Sequence, residues 1–183
     1  MPQDAFPFPN IELAYKELSY DLCFAKIPVE DREKIVHSAW QKGKKAAESI
    51  LKKHNGETSF FKLAEECGLQ CEEQDRDYVI GNRRYFSDYL SGQNKIILYL
   101  KSIALWAEQN DLAISTAKNM ILGHEFFHFL EYTKIGLTSR EYMVPAVSIG
   151  SFKFGKTGVR ALSEIGAHAF VRTYFELLQN WEA

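Results

Sequence analysis

Ile121-Leu122-Gly123-His124-Glu125-Phe126-Phe127-His128-Phe129-Leu130 decides how the rest of the chain is read. The spacing predicts a helix from about Leu112 to Tyr132, with Gly136 just beyond its end as a stop signal. On a helix, residues four apart stand one turn above each other, so His124 and His128 can present imidazole nitrogens to a single ion. Glu125 is rotated about 100° from His124, where it can reach a water on that ion without ligating it. The blander alternative is a pair of histidines capping an apolar helix, each satisfied by a backbone carbonyl. It explains neither Glu125 nor ionisable rings set among Ile121, Phe126, Phe127 and Leu130, where an unpaired buried polar group costs on the order of several kcal/mol.

Two histidines do not complete a site for hydrolytic zinc, which takes three protein ligands and leaves one position to water. The extension HExxHxxGxxH is absent, since Glu131 and Lys134 stand where Gly and His are needed. Glu131, Glu141, Glu164 and His168 remain as downstream candidates. Glu131 shares a turn with His128, which it would have to face from across the site. Glu164 lies on the next expected helix, from about Val159 or Ser163 to Gln179, among Leu162, Ile165 and Ala167, as a carboxylate pointed inward does. His168, one turn on, is either the ligand itself or a group that hydrogen-bonds a ligand and fixes its orientation. Glu164 is favoured over it because a carboxylate completes a His2Glu set.

Working outward, Phe6-Pro7-Phe8-Pro9 is an extended arm, and Asn10 is a good N-cap for a short helix from Ile11 to about Ala25, closed by Pro28. From Glu30 to His54, apolar residues recur at three and four, and Asn55-Gly56 stops the helix. Thr58 or Ser59 opens a shorter one ended by Gly68. Tyr78 to Ile80, Tyr85 to Leu90 and Ile96 to Leu100 are rich in β-branched and aromatic residues, so they read as strands, with a hairpin across Ser91 to Asn94. Met143 to Ile149 contains Pro145 and, if a strand, belongs at an edge. The expectation is one domain over 1–183, an α+β and mostly helical fold with a small twisted sheet beside the HExxH helix. Residues 1–57 form its arm and first helices, and 58–178 its core.

HExxH on one helix and a Glu on a later one resemble the zinc site of the gluzincin metallopeptidases, and the finer pattern looks like the ImmA/IrrE-type metallopeptidases. Phe60-Phe61-Lys62-Leu63-Ala64-Glu65-Glu66-Cys67-Gly68-Leu69 looks like the small helix before that family's sheet, Lys95 to Tyr99 like its last hairpin strand, and Glu164-x-x-Ala167-x-x-Phe170 like its third-ligand helix. The resemblance implies a zincin-like domain that hydrolyses peptide bonds with Zn2+ held by His124, His128 and Glu164, with Glu125 as the base. It also implies a regulatory protein substrate such as a transcriptional repressor. The chain departs from the family in carrying Phe127 where a small residue usually precedes the second His, in the long interval from His128 to Glu164, and in His168 where Asn or Asp is usual. Tyr142, Arg160 and Arg172 are candidates for the oxyanion-stabilising group that such chemistry needs.

Other classes are weaker. Lys+Arg 22 against Asp+Glu 24 lacks the basic footprint of a general nucleic-acid binder. No apolar run approaches the ~20 residues that span a bilayer, and the start carries Asp4 and prolines where a signal peptide needs basic residues, so the chain reads as cytoplasmic. Gly150-Ser151-Phe152-Lys153-Phe154-Gly155-Lys156-Thr157 satisfies GxxxxGK[ST], but its phenylalanines crowd a phosphate-wrapping loop and no downstream strand remains for a magnesium-binding Asp. It reads instead as a basic turn beside the site. A di-iron bundle needs two ExxH pairs, and only Glu125-x-x-His128 is present. A non-catalytic zinc protein, with the metal closed in by four ligands, is the remaining alternative.

Overall fold

The computed structural model describes residues 6–150 and 152–181; the start of the arm, with Asp4, and Ser151 lie outside the described residues. Among the described residues the fold is α+β, with six α-helices and seven short strands in three small sheets. None of the helices is long and apolar enough to cross a membrane.

The helix that carries Glu164, α6 (Ala161–Trp181), is packed between α2 (Val29–Lys53) and α5 (Ile114–Leu130), the HExxH helix. Small residues set these distances. A Cβ added at Gly43 of α2 would lie 2.1 Å from the Gly166 carbonyl oxygen, and one at Gly166 would lie 2.7 Å from the Phe127 ring. The large residue before His128 is thus matched by a missing side chain on α6. The segment before residue 58 is part of the same packing, because α2 buries Ile35, Val36, Ala39 and Trp40 with Leu162, Ile165 and Ala169 of α6.

A second apolar cluster lies on the other side of α6, where α5 meets α3 (Phe60–Glu66), α4 (Leu100–Gln109) and the main sheet. In that sheet β5 (Lys95–Tyr99) is central, with β1 (Gln70–Gln74) parallel on one side and β4 (Ser87–Leu90) antiparallel on the other. Ile96 and Leu98 are fully buried. The hairpin across Ser91 to Asn94 joins β4 to β5 as expected. The expected strand from Tyr85 to Leu90 is divided: β3 (Arg83–Tyr85) pairs with β2 (Tyr78–Ile80) in a separate ribbon, and β4 begins only after Phe86.

Three boundaries differ from expectation. The first helix, α1 (Ile11–Ser19), is capped by Asn10 as expected but stops well short of Ala25. Its continuation is diverted because the Asp21 carboxylate accepts from Cys23 N at 2.7 Å and from Ala161 N, at the start of α6, at 2.8 Å. The HExxH helix passes into a π-helical turn at Glu131–Ile135. The GxxxxGK[ST] stretch is a turn only at its start, at Gly150: Phe152–Gly158 is a strand, β7, paired with β6 (Met143–Ile149) in a two-stranded ribbon where Pro145 stands opposite Lys156.

Candidate functional site

The second half of α5, from Met120 to Leu130, is apolar as a buried helix requires, except for His124, Glu125 and His128, which therefore stand out. His124 Nε2 and His128 Nε2 are 3.2 Å apart. From α6, Glu164 brings Oε2 to 3.2 Å from His124 Nε2 and Oε1 to 3.7 Å from His128 Nε2. Donor atoms about 2.0–2.1 Å from a tetrahedral zinc ion stand roughly 3.3 Å from one another. The three side chains therefore have the chemistry and spacing to hold one such ion. Glu164 keeps 44% of its side chain open to a cleft of about 790 Å3, which also exposes His124, Glu125 and His128.

His168 stands one turn beyond Glu164 and joins the cluster. Donor atoms of His124, Glu164 and His168 lie within 4.8 Å of one another. Its ring centroid is 5.2 Å from that of His124, and its Nδ1 is buried without a hydrogen-bond partner. Burial, with the adjacent His124 charge, pushes its pKa down to about 3, so the ring is neutral and its lone pair is available.

Glu125 is 7% exposed and receives a hydrogen bond from Ser87 Oγ at 2.7 Å, which aligns one carboxylate oxygen and leaves the other free. Glu131, set aside as a ligand in the sequence reading, has a different place. The π-helical turn carries its side chain inward, 2.9 Å from His128 Nδ1. Its Oε1 accepts from Thr138 N at 2.7 Å and from Ser163 Oγ at 2.9 Å. A donating Nδ1–H leaves the lone pair of His128 on Nε2, facing the other donors. Burial alone would lower the His128 pKa, but the hydrogen bond to Glu131 and the charges of Glu164 and Glu125 outweigh it and raise it to about 9. Desolvation by the surrounding protein atoms would raise the Glu164 pKa, but its bond to His124 and the surrounding imidazoles outweigh this and hold the carboxyl well below the usual carboxylate range.

Of the three residues expected as oxyanion candidates, Arg160 lines the cleft. Tyr142 instead donates to Asp31 at 2.6 Å, and Arg172 donates to the Phe8 carbonyl and pairs with Glu176. Arg83 and Tyr85 also line the cleft. Glu141 lies elsewhere, paired with Lys42. The roles of Ser87, Ser163 and Glu131 were not found from sequence; the one local signal was a Glu three residues after the second His.

Compared with family models, with curated proteins and with solved structures, the chain matches none.

Proposed function

We propose that the chain is a zinc-dependent metallopeptidase of gluzincin type, similar to the ImmA/IrrE metallopeptidases, acting on a regulatory protein such as a transcriptional repressor. The observation that carries this reading is the meeting of His124, His128 and Glu164 donor atoms at 3.2 to 3.7 Å beside a carboxylate, Glu125, that is not one of them. Helix α5 lying beside a three-stranded sheet, with α6 packed against it, supports a zincin-like fold.

Zinc, when bound, would supply Lewis acidity, polarising a carbonyl and making water acidic near neutral pH. Glu125 takes a proton from the attacking water and passes it to the leaving amine nitrogen. The Ser87 hydroxyl holds one Glu125 oxygen, so the other is the proton acceptor. Glu131 fixes the His128 ring and, through Ser163, the start of the helix bearing Glu164. Arg160, Arg83 and Tyr85, among the donors that line the cleft, are the candidates for stabilising an oxyanion.

Metal content and peptide hydrolysis of purified variants test this. His124→Ala, His128→Ala and Glu164→Ala should lose metal and activity together, whereas Glu125→Gln should keep metal and lose hydrolysis. A fully active Glu125→Gln protein would overturn the mechanism. The unpartnered Nδ1 of His168 favours a second reading, a non-catalytic site closed by four ligands. In that case His168→Ala would lose the metal, and the cobalt-substituted protein would show no exchangeable water.

A further inference from the structure

A cavity of about 320 Å3 adjoins the cleft. Tyr85, Ser87, His124, Glu125 and Glu164 line both spaces, so the two meet at the groups that carry the chemistry. The rest of the cavity wall is of another kind. Phe8 comes from the N-terminal arm, Phe86 from the residue before β4, Trp106 from α4 and Ile121 from α5. The Trp106 ring stands 5.7 Å from that of Phe8, nearly perpendicular to it, and 6.0 Å from that of Phe86. None of these four side chains has a part in the hydrolysis.

Size and chemistry define what fits. An apolar cavity of ~150 Å3 takes up benzene, so 320 Å3 has room for a benzyl or an indole group. Aromatic walls favour an aromatic occupant, whose faces and edges pair with theirs. Charge is disfavoured. The Arg84 guanidinium is held by Asp77 at 2.9 and 3.0 Å, the Ser87 hydroxyl is engaged by Glu125, and His168 Nδ1 is buried. In the peptidase reading Glu125 and Glu164 serve the water and the metal. A charged side chain drawn into the cavity would therefore leave water without a partner of its own.

Position says where the occupant comes from. A chain lying extended in the cleft with a carbonyl at Glu125 carries its nearest side chains only a few bonds from the reacting carbon. Successive side chains of such a chain point to opposite faces, so one of the two that flank the bond turns towards the cavity. The far wall is supplied from outside the 58–178 core: Pro7 and Pro9 keep the arm extended on either side of Phe8, and Arg172 donates to the Phe8 carbonyl at 3.2 Å.

We propose that this cavity receives one large apolar side chain, Phe or Trp above others, which flanks the bond to be cut in a bound protein segment, and that Phe8 and Phe86 fix its depth. It deepens the peptidase reading, on which it rests, by naming the side chain that the substrate carries.

Binding is tested with the full chain carrying Glu125→Gln, in buffer with zinc, so that a bound peptide is not consumed. Labelled hexapeptides of Gly and Ser hold one varied residue, Phe, Trp, Ala, Lys or Glu. The Phe and Trp peptides should bind about tenfold or more tightly than the other three, the discrimination an apolar pocket gives. Phe86→Trp fills the cavity from a half-buried position and should abolish that preference, and Phe8→Ala should raise affinity for Trp relative to Phe. Melting temperatures check that each variant is folded, and Phe86→Trp decides the matter if Phe8→Ala is not. The proposal is overturned if Phe binds no better than Ala, if Lys or Glu binds as tightly as Phe, or if the preference survives Phe86→Trp. Cleavage by the unsubstituted chain separates this proposal from the reading beneath it. Peptides cut beside Phe or Trp support both. Hydrolysis with no preference at the flanking residues overturns the cavity assignment and leaves the peptidase standing. A preference in binding that depends on Phe86, in a chain that hydrolyses no peptide, removes the peptidase reading and leaves the cavity as a side-chain site.

Discussion

Glu131 is 2% exposed, and its two oxygens receive groups from three segments: the His128 ring, the Thr138 backbone and the Ser163 hydroxyl. Replacing it by Ala should weaken zinc binding by about 10 to 100-fold, the usual effect of removing a group that orients a ligand. It should also cost about 1–3 kcal/mol of stability, because Thr138 N loses its partner in a buried place. A purely structural role would change only the second quantity, so zinc titration against a chelator separates the two. A pH series gives a further check. With His128 raised to about 9, its proton competes with zinc at neutral pH, so zinc affinity should increase with pH and level off above about 9. Without Glu131 the plateau should come at lower pH. For the metal-free protein the raised His128 pKa adds stability that is complete below its unfolded value of about 6.5 and is lost as pH rises through about 9. The lowered carboxyls of Glu131 and Glu164 add stability that is present above about 4.3 and is lost as pH falls. His168, lowered to about 3, acts in the same direction, its neutral form costing stability as pH falls below the unfolded value of about 6.5. Melting temperatures in chelator should therefore peak at about pH 6.5 and fall on either side; a flat profile from about pH 5 to 10 would contradict the network. His124, Glu125 and His128 were legible because spacing along one helix states their relation, and Glu164 because an inward carboxylate needs a partner. Ser87 and Ser163 were not, since a serine shows nothing of its contacts until strand and helix have been packed beside Glu125 and Glu131.

Gly166 sets how closely α5 and α6 approach, and the residues on either side of it on α6 include Glu164 and His168. Gly166→Ala puts a methyl group 2.7 Å from the Phe127 ring and should cost about 1–3 kcal/mol, the range for overpacking, with loss of zinc affinity as the helices part. Adding Phe127→Leu should return part of both losses, so the two substitutions should be non-additive in denaturant unfolding. Strictly additive effects would show that the ring and the glycine do not determine the spacing. At this scale the amphipathic α2 was readable almost to the residue. Helix α4 was hidden because Tyr99-Leu100 continues the apolar run of β5 and no side chain caps its start, and short apolar runs do not distinguish strand from helix. Strand β1 was hidden for the opposite reason: Gln70-Cys71-Glu72-Glu73-Gln74 is polar and is ordered by its parallel pairing with β5. The GxxxxGK[ST] pattern illustrates the same limit, since cross-strand pairing decides its conformation. With Lys153 and Lys156 on an exposed strand, calorimetry with ATP and magnesium should give no binding heat, and micromolar affinity abolished by Lys156→Ala would revive a phosphate site.

Chain segments from both ends of the molecule meet at the site, and the N-terminal arm shows what that arrangement achieves. Phe8 is 7% exposed, with its ring centroid 5.7 Å from Trp106 of α4, 6.3 Å from His124 of α5 and 6.0 Å from His168 of α6. The Arg172 guanidinium donates to the Phe8 carbonyl at 3.2 Å and lies over the Phe6 ring. The prolines forbid a helix and hold the chain extended, so one buried ring, together with Arg172, ties the arm across three elements. The ring forms a wall of a cavity of about 320 Å3 that contains His124, Glu125, Glu164 and His168. Phe8→Ala should remove that wall. The stability loss should be about 3 kcal/mol, the low end for a buried Phe, since the arm lies at the periphery and part of the gap can collapse. Water admitted beside the imidazoles should speed zinc release to a chelator, and the emission of Trp106 should move to longer wavelength. Phe8→Leu fills much of the same space and should recover most of each change. Release and emission unchanged in Phe8→Ala, with stability alone reduced, would mean that the arm braces the fold without enclosing the site.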